Sequence, residues 1–266
     1  MNRSVSLRAL VLAPVCLSFT VGCSASVAGE IDGEAVATLY SALFTEDEDD
    51  IGEETLTSVG AGGISVLDGC NQMAKRQENA NELQDQLNGD LKSAQEDADE
   101  DAAIDALDAF AAGIVEYDEK NVPTDYWFVS VGASSIDEDE IEGGNIKIEF
   151  GEAPDEDAKV FGGVTVCRVN DHPSVGEDDN DFPIVETDQT CFSAIDADIE
   201  IVKWVPGETF EATATATMYD VDDFDPINDD EPNDVGEVEI KVGAGFCKPL
   251  QDALDDAEQI AEDAAE

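Results

Sequence analysis

The chain has 266 residues, 65 of them Asp or Glu against 12 Lys or Arg, with one histidine and a formal charge of −53 at neutral pH. That balance excludes nucleic acid as a partner, because affinity for phosphate chains needs clustered Lys and Arg, and it disfavours unaided docking on an anionic lipid surface. Self-repulsion of this size destabilises a compact state unless salt or bound cations screen it, so acidity spread along the whole chain reads as adaptation to a salty exterior.

Residues 1–22 contain no Asp or Glu. Arg3 and Arg8 precede an apolar run, Ala9 to Val21, that is too short to span a bilayer and is flanked as a signal peptide is. The run ends Phe19-Thr20-Val21-Gly22-Cys23. It resembles a bacterial lipoprotein signal, in which a small residue precedes an obligatory cysteine whose thiol takes diacylglycerol before cleavage. Thr20 stands where such signals usually carry Leu, which keeps plain secretion as the alternative. The resemblance covers only these first residues. It implies a signal peptide at 1–22, lipidation at Cys23, a membrane reached through a lipid anchor, and a place in the cell envelope. Ser24 after the cysteine resembles the outer-membrane sorting choice, with the periplasmic and the surface-exposed face both open. Two or three acyl chains anchor stably where one does not.

Behind the signal, residues 23–31 read as a short tether. Asp32 then reads as the cap of an amphipathic helix with Val36, Leu39, Tyr40, Leu43 and Phe44 at three- and four-residue spacing. Gly60, Gly62 and Gly63 read as a turn. Ile64 to about Asn88 and Ala98 to Tyr117 read as a helical hairpin broken near Gly89, the second helix carrying a stripe at Ala103, Leu107, Phe110, Ala111 and Ile114. Residues 32–120 thus form a helical region whose outer face is solvated.

From Tyr126 the period changes to two, as in Trp127-Phe128-Val129-Ser130-Val131. Further strands are predicted around Ile146 to Phe150 and at Lys159–Val169, Thr190–Ile195, Asp198–Trp204, Thr209–Tyr219 and Glu237–Gly243. Strands joined by turns rather than helices imply antiparallel pairing over 121–244. Pro249 opens a closing helix within 245–266 that packs back on the helical region. The fold class is therefore α+β: an antiparallel sheet or sandwich with an N-terminal helix, a helical hairpin and a C-terminal helix packed on it.

Cys70, Cys167, Cys191 and Cys247 are an even set outside the cytoplasm and suggest two disulfides. Of three pairings we favour Cys167–Cys191 and Cys70–Cys247, worth roughly 3 and roughly 4 to 5 kcal/mol in the chain-entropy model. A zinc site is disfavoured, because no C-x-x-C occurs and His172 lies in a polar loop.

No catalytic residue is assigned. A Ser-His-Asp triad would need His172, and no G-x-S-x-G elbow accompanies it. Paired carboxylates of a carbohydrate hydrolase cannot be picked out among 65. The one constellation with metal chemistry is Asp220, Asp222, Asp223, Asp225, Asn228, Asp229 and Asp230, oxygen ligands on a loop between two strands that suit calcium without matching an EF-hand. Glu177 to Asp181 form a similar cluster. Tyr126, Trp127, Phe128 and Trp204 read as core, with a groove for a sugar or an apolar ligand as the alternative. The leading expectation is a non-enzymatic envelope lipoprotein acting as a surface interaction or binding module for an envelope protein or glycan. The alternatives are a calcium-dependent module using the Asp220 to Asp230 loop and an envelope carbohydrate hydrolase.

Overall fold

The computed structural model describes residues 24–51, 54–97, 100–149, 160–177, 182–221 and 232–265. Twelve strands and three helices occur among them, in the order β1 (Ser24–Ile31), β2 (Glu34–Ala35), β3 (Ser41–Ile51), β4 (Glu54–Ile64), α1 (Gly69–Asp97), α2 (Glu100–Asn121), β5 (Tyr126–Ser135), β6 (Asn145–Glu149), β7 (Val160–Val169), β8 (Ser174–Glu177), β9 (Pro183–Glu186), β10 (Gln189–Val205), β11 (Thr209–Asp220), β12 (Asp234–Phe246) and α3 (Lys248–Ala265). The class is α+β with a large, mostly antiparallel sheet.

The sheet closes on itself. Neighbours run β11-β10-β7-β5-β4-β3-β12, and β12 returns to β11 along its whole length. The single parallel join is short, Gly245 with Leu43 and Phe246 with Phe44. On that flank β12 also takes β1, while β6 pairs with the middle of β10. One row of the interior runs Phe44, Ala61, Val131 and Val164 across four strands. Facing strands contribute Ile199, Ile201, Phe210, Met218, Val238 and Ile240 to the same core. Along β11 the alternation of Ala and Thr turns Ala212, Ala214 and Ala216 inward.

Four local expectations are corrected at once. Asp32 is not a helix cap: Asp32 and Gly33 both have positive φ (51° and 75°) and make the tight turn between β1 and β2, where Ile31 faces Glu34. Asp-Gly is a preferred pair for such a turn. The helix expected from Asp32 is absent, and Ala42 and Phe44 are buried at a spacing of two on β3. Residues 24–31, read as a tether, are a paired strand with Ser24 opposite Gly243. Gly60, Gly62 and Gly63 lie inside β4 rather than in a turn. The long β10 takes in both strands expected between Thr190 and Trp204, with register shifts at Ala194/Asp196 and Ile201/Lys203 against β11.

The hairpin of α1 and α2 and the closing helix α3 stand where they were expected, although Gly89 does not interrupt α1. Small residues set their spacing, since a Cβ on Gly113 would meet the Leu83 side chain at 2.7 Å. Asn81, nearly buried, donates to the Ala253 carbonyl at 2.6 Å and ties α1 to α3. Ser41 fixes the start of α1 on β3: its hydroxyl donates to the Val66 carbonyl at 2.8 Å and accepts from the Gly69 N–H at 3.1 Å.

Both favoured disulfides are present. Cys70–Cys247 joins the first turn of α1 to the chain entering α3, and Cys167–Cys191 links facing positions on β7 and β10. Every described element and both bridges lie within 24–265, so the chain from Ser24 onward holds all of the described fold. Among the described residues no helix is long and apolar enough to cross a membrane.

Candidate functional site

Alternation along β3, β4 and β5 leaves one residue in two on the outer surface of the barrel. On that surface the register places Leu43, Gly62, Ser130 and Thr165 in one row, and Thr45, Gly60, Gly132 and Gly163 in the next. Four of these eight positions are glycine, three of them consecutive in the second row. At Gly62 that is enforced, because a Cβ would lie 2.5 Å from the Val129 carbonyl oxygen. Gly60 is different: a Cβ there would meet only the Thr45 hydroxyl, at 3.9 Å, and would otherwise project into open space.

That space is a cavity of about 390 Å³ between the glycine floor and α1. Met73 and Arg76 of α1 contribute the roof, and Ile64, Tyr126, Phe128 and Val169 the apolar walls. Asp171, Pro173, Asp188 and Gln189, from the chain flanking the β8–β9 hairpin, complete the lining. His172 anchors this flank by a 2.8 Å hydrogen bond between its Nε2 and the Val122 carbonyl just after α2. The volume lies at the lower end of the range of about 300–1,000 Å³ typical of small-molecule sites, and such sites are mostly apolar with a few placed polar groups.

The polar group in the roof is held firmly. Arg76 donates from Nε to both oxygens of Asp118 (3.0 and 3.1 Å) and from Nη2 to Oδ2 at 2.6 Å. Burial works against the guanidinium charge, but the hydrogen bonds and charge of Asp118 more than offset it and hold the group above its ordinary pKa. Nη1 takes no part in this pair. Tyr126 beside it is 5% exposed. Burial raises its phenol pKa, Arg76 partly opposes this and Asp118 adds to it, so the hydroxyl stays protonated and able to donate.

A second concavity lies on the outer surface of β6, β10, β11 and β12. It is an open trough of about 710 Å³. Its floor carries Lys147, Asp198, Thr215 and Glu239 in one cross-strand row and Asn145, Glu200, Thr213 and Lys241 in the next. Carboxylates are abundant there, yet no aromatic side chain lines it. Trp127 and Trp204 are each 6% exposed in the barrel core. At the opening of the barrel Glu46 accepts from the Gly207 N–H at 3.1 Å, with the Trp204 indole N–H beside it. Desolvation raises the Glu46 pKa against the lowering effect of those two donors, and Glu48 and Glu138 add to the rise.

Of the expected calcium ligands, Asp220 ends β11 opposite Phe192, whereas Asp222, Asp223, Asp225, Asn228, Asp229 and Asp230 lie outside the described residues, as does Cys23. Glu177 ends β8, and the rest of its acidic cluster is likewise outside them. Among the described residues no group of three or more His, Cys, Asp or Glu is placed to hold a metal ion. Of the cavity residues, the sequence pointed to Tyr126 and Phe128 as aromatic candidates but took Gly60 and Gly62 for a turn, since Gly60, Gly62 and Ser130 become neighbours only through the pairing of β4 with β5. No protein-family model matches the chain, and comparison with curated proteins and with solved structures returns no match.

Proposed function

We propose that this is an exported protein, lipidated at Cys23 and held on an envelope membrane in a salty exterior, that works as a non-enzymatic binding module. The observation that carries the binding reading is the apolar cavity between the glycine floor of β4 and the α1 roof. The anchoring part is supported by the Phe19 to Cys23 sequence, and two disulfides suit an oxidising compartment. With β1 paired from Ser24, an anchor on Cys23 would join the barrel with no linker between them.

Phase partition in a non-ionic detergent tests the anchor, using the full chain expressed in a bacterium with a lipoprotein-processing pathway. Wild type is expected in the detergent phase, with a diacylglyceryl group on the N-terminal peptide by mass spectrometry, and Cys23→Ser in the aqueous phase. A wild-type protein that is cleaved, unlipidated and aqueous would establish plain secretion instead. Activity in a broad glycosidase screen would favour the hydrolase alternative and the carboxylate-rich trough as its site.

A further inference from the structure

Building on the binding-module reading, we infer that the cavity under α1 takes a small, flat, uncharged apolar molecule bearing one hydrogen-bond acceptor, such as an aromatic ketone or a quinone ring. Shape comes first. The floor is bare backbone at Gly60 and Gly62, flanked by Leu43 on β3 and the short Ser130 side chain on β5, and Met73 and Arg76 close over it from α1. A backbone floor below and side chains above make a slot, and a planar ring system fills a slot with the most contact per atom. Ile64, Tyr126 and Phe128 supply apolar and aromatic edges.

Charge then selects. An anion would enter a site lined by Asp171 and Asp188 on a chain of −53, and the Arg76 charge is already matched by Asp118 at 2.6 Å. A cation would have to sit against the same guanidinium in the roof. What remains favourable is a neutral body. Arg76 and Tyr126 bring N–H and O–H donors to the lining, and a ligand carbonyl supplies an acceptor for such groups when water is displaced.

The test uses the chain from Ser24 onward, so its result does not depend on lipidation at Cys23. The probe is 6-propionyl-2-(dimethylamino)naphthalene, a flat neutral ketone whose emission shifts to the blue away from water, compared with the anionic 1-anilinonaphthalene-8-sulfonate. We expect saturable one-to-one binding of the ketone and at least tenfold weaker binding of the sulfonate. Gly60→Val puts two methyl groups into the slot without a backbone clash and should weaken the ketone at least tenfold. Gly163→Val, on the same outer surface but outside the cavity, with no heavy atom within 4 Å of the added Cβ, should leave binding unchanged. Ser130→Val narrows the floor from the neighbouring strand and gives a second reading should Gly60→Val lower the unfolding midpoint. Ketone binding as tight in folded Gly60→Val and Ser130→Val as in wild type would overturn the site. Sulfonate binding that is the tighter of the two and is lost in Gly60→Val would keep the site and overturn the ligand class. Absence of saturable binding by either probe would overturn both, leaving the anchor to its separate test.

Discussion

Arg76 on α1 and Asp118 on α2 are joined by three hydrogen bonds of 2.6 to 3.1 Å, and Asp118 is only 2% exposed. The pair holds the two arms of the hairpin together at the level of the cavity roof. Removing one partner of a fully buried pair costs about 3–5 kcal/mol because the other charge is stranded. The Arg76 side chain is 38% exposed, so water compensates in part. Arg76→Ala should therefore destabilise by about 2–3 kcal/mol, read from the urea midpoint at constant m-value. A loss below a few tenths would show that the hairpin does not depend on this contact.

Cys70 and Cys247 are 177 residues apart in sequence, whereas Cys167 and Cys191 are 24 apart. In the chain-entropy description the long loop is worth about 5 kcal/mol and the short one about 3.5. The double variant Cys70→Ala/Cys247→Ala should accordingly lose more stability than Cys167→Ala/Cys191→Ala, and non-reducing peptide maps should show only these two links. Equal losses, or a fragment joining Cys70 to Cys191, would count against the assignment of the clamp.

Glu46 couples pH to stability. Desolvation raises its folded-state pKa, so between the ordinary glutamate value and that raised value the folded state binds more protons than the unfolded one. Its contribution therefore falls as pH rises through this window and stays unfavourable at neutral pH. Glu46→Gln keeps an oxygen for the Gly207 N–H and should raise the thermal midpoint at pH 7, with the difference vanishing below the ordinary glutamate pKa. A Gln variant less stable than wild type at pH 7 would show that the carboxylate charge is favourable where it stands.

The acidity makes a prediction about ions. Sodium chloride should raise the thermal midpoint smoothly over a range of ionic strengths, since screening relieves like-charge repulsion. Calcium at matched ionic strength is expected to add nothing. A saturable extra shift that Asp222→Ala and Asp225→Ala remove would instead make the loop after Asp220 a calcium site and couple its filling to stability.

What could be read ahead of the structure follows from periodicity and its limits. The Ala103 to Ile114 stripe of α2 and the Ala212 to Ala216 alternation of β11 each show one period only, and both elements were legible. Val36, Leu39, Tyr40, Leu43 and Phe44 satisfy a helical spacing by coincidence, since Tyr40 is exposed while Ala42 and Phe44 are buried. Asp32-Gly33 is as good a hairpin turn as Asp32 is a cap, and only pairing of Ile31 with Glu34 decides between them. The bridges were legible because an even set of four cysteines without metal-ligand spacing has few other uses. The cavity was not, because a glycine inside a strand looks like a turn until the element covering it is known.

Hydrogen exchange read by mass spectrometry, on the chain from Ser24 with and without the saturating neutral ketone, locates the bound ligand. Slowed exchange is expected only at the cavity walls, in peptides spanning 60–64, 69–77 and 126–130. Protection that falls instead on 196–200 and 211–217, the polar trough, would place the binding site on the other side of the barrel and rule out the cavity under α1.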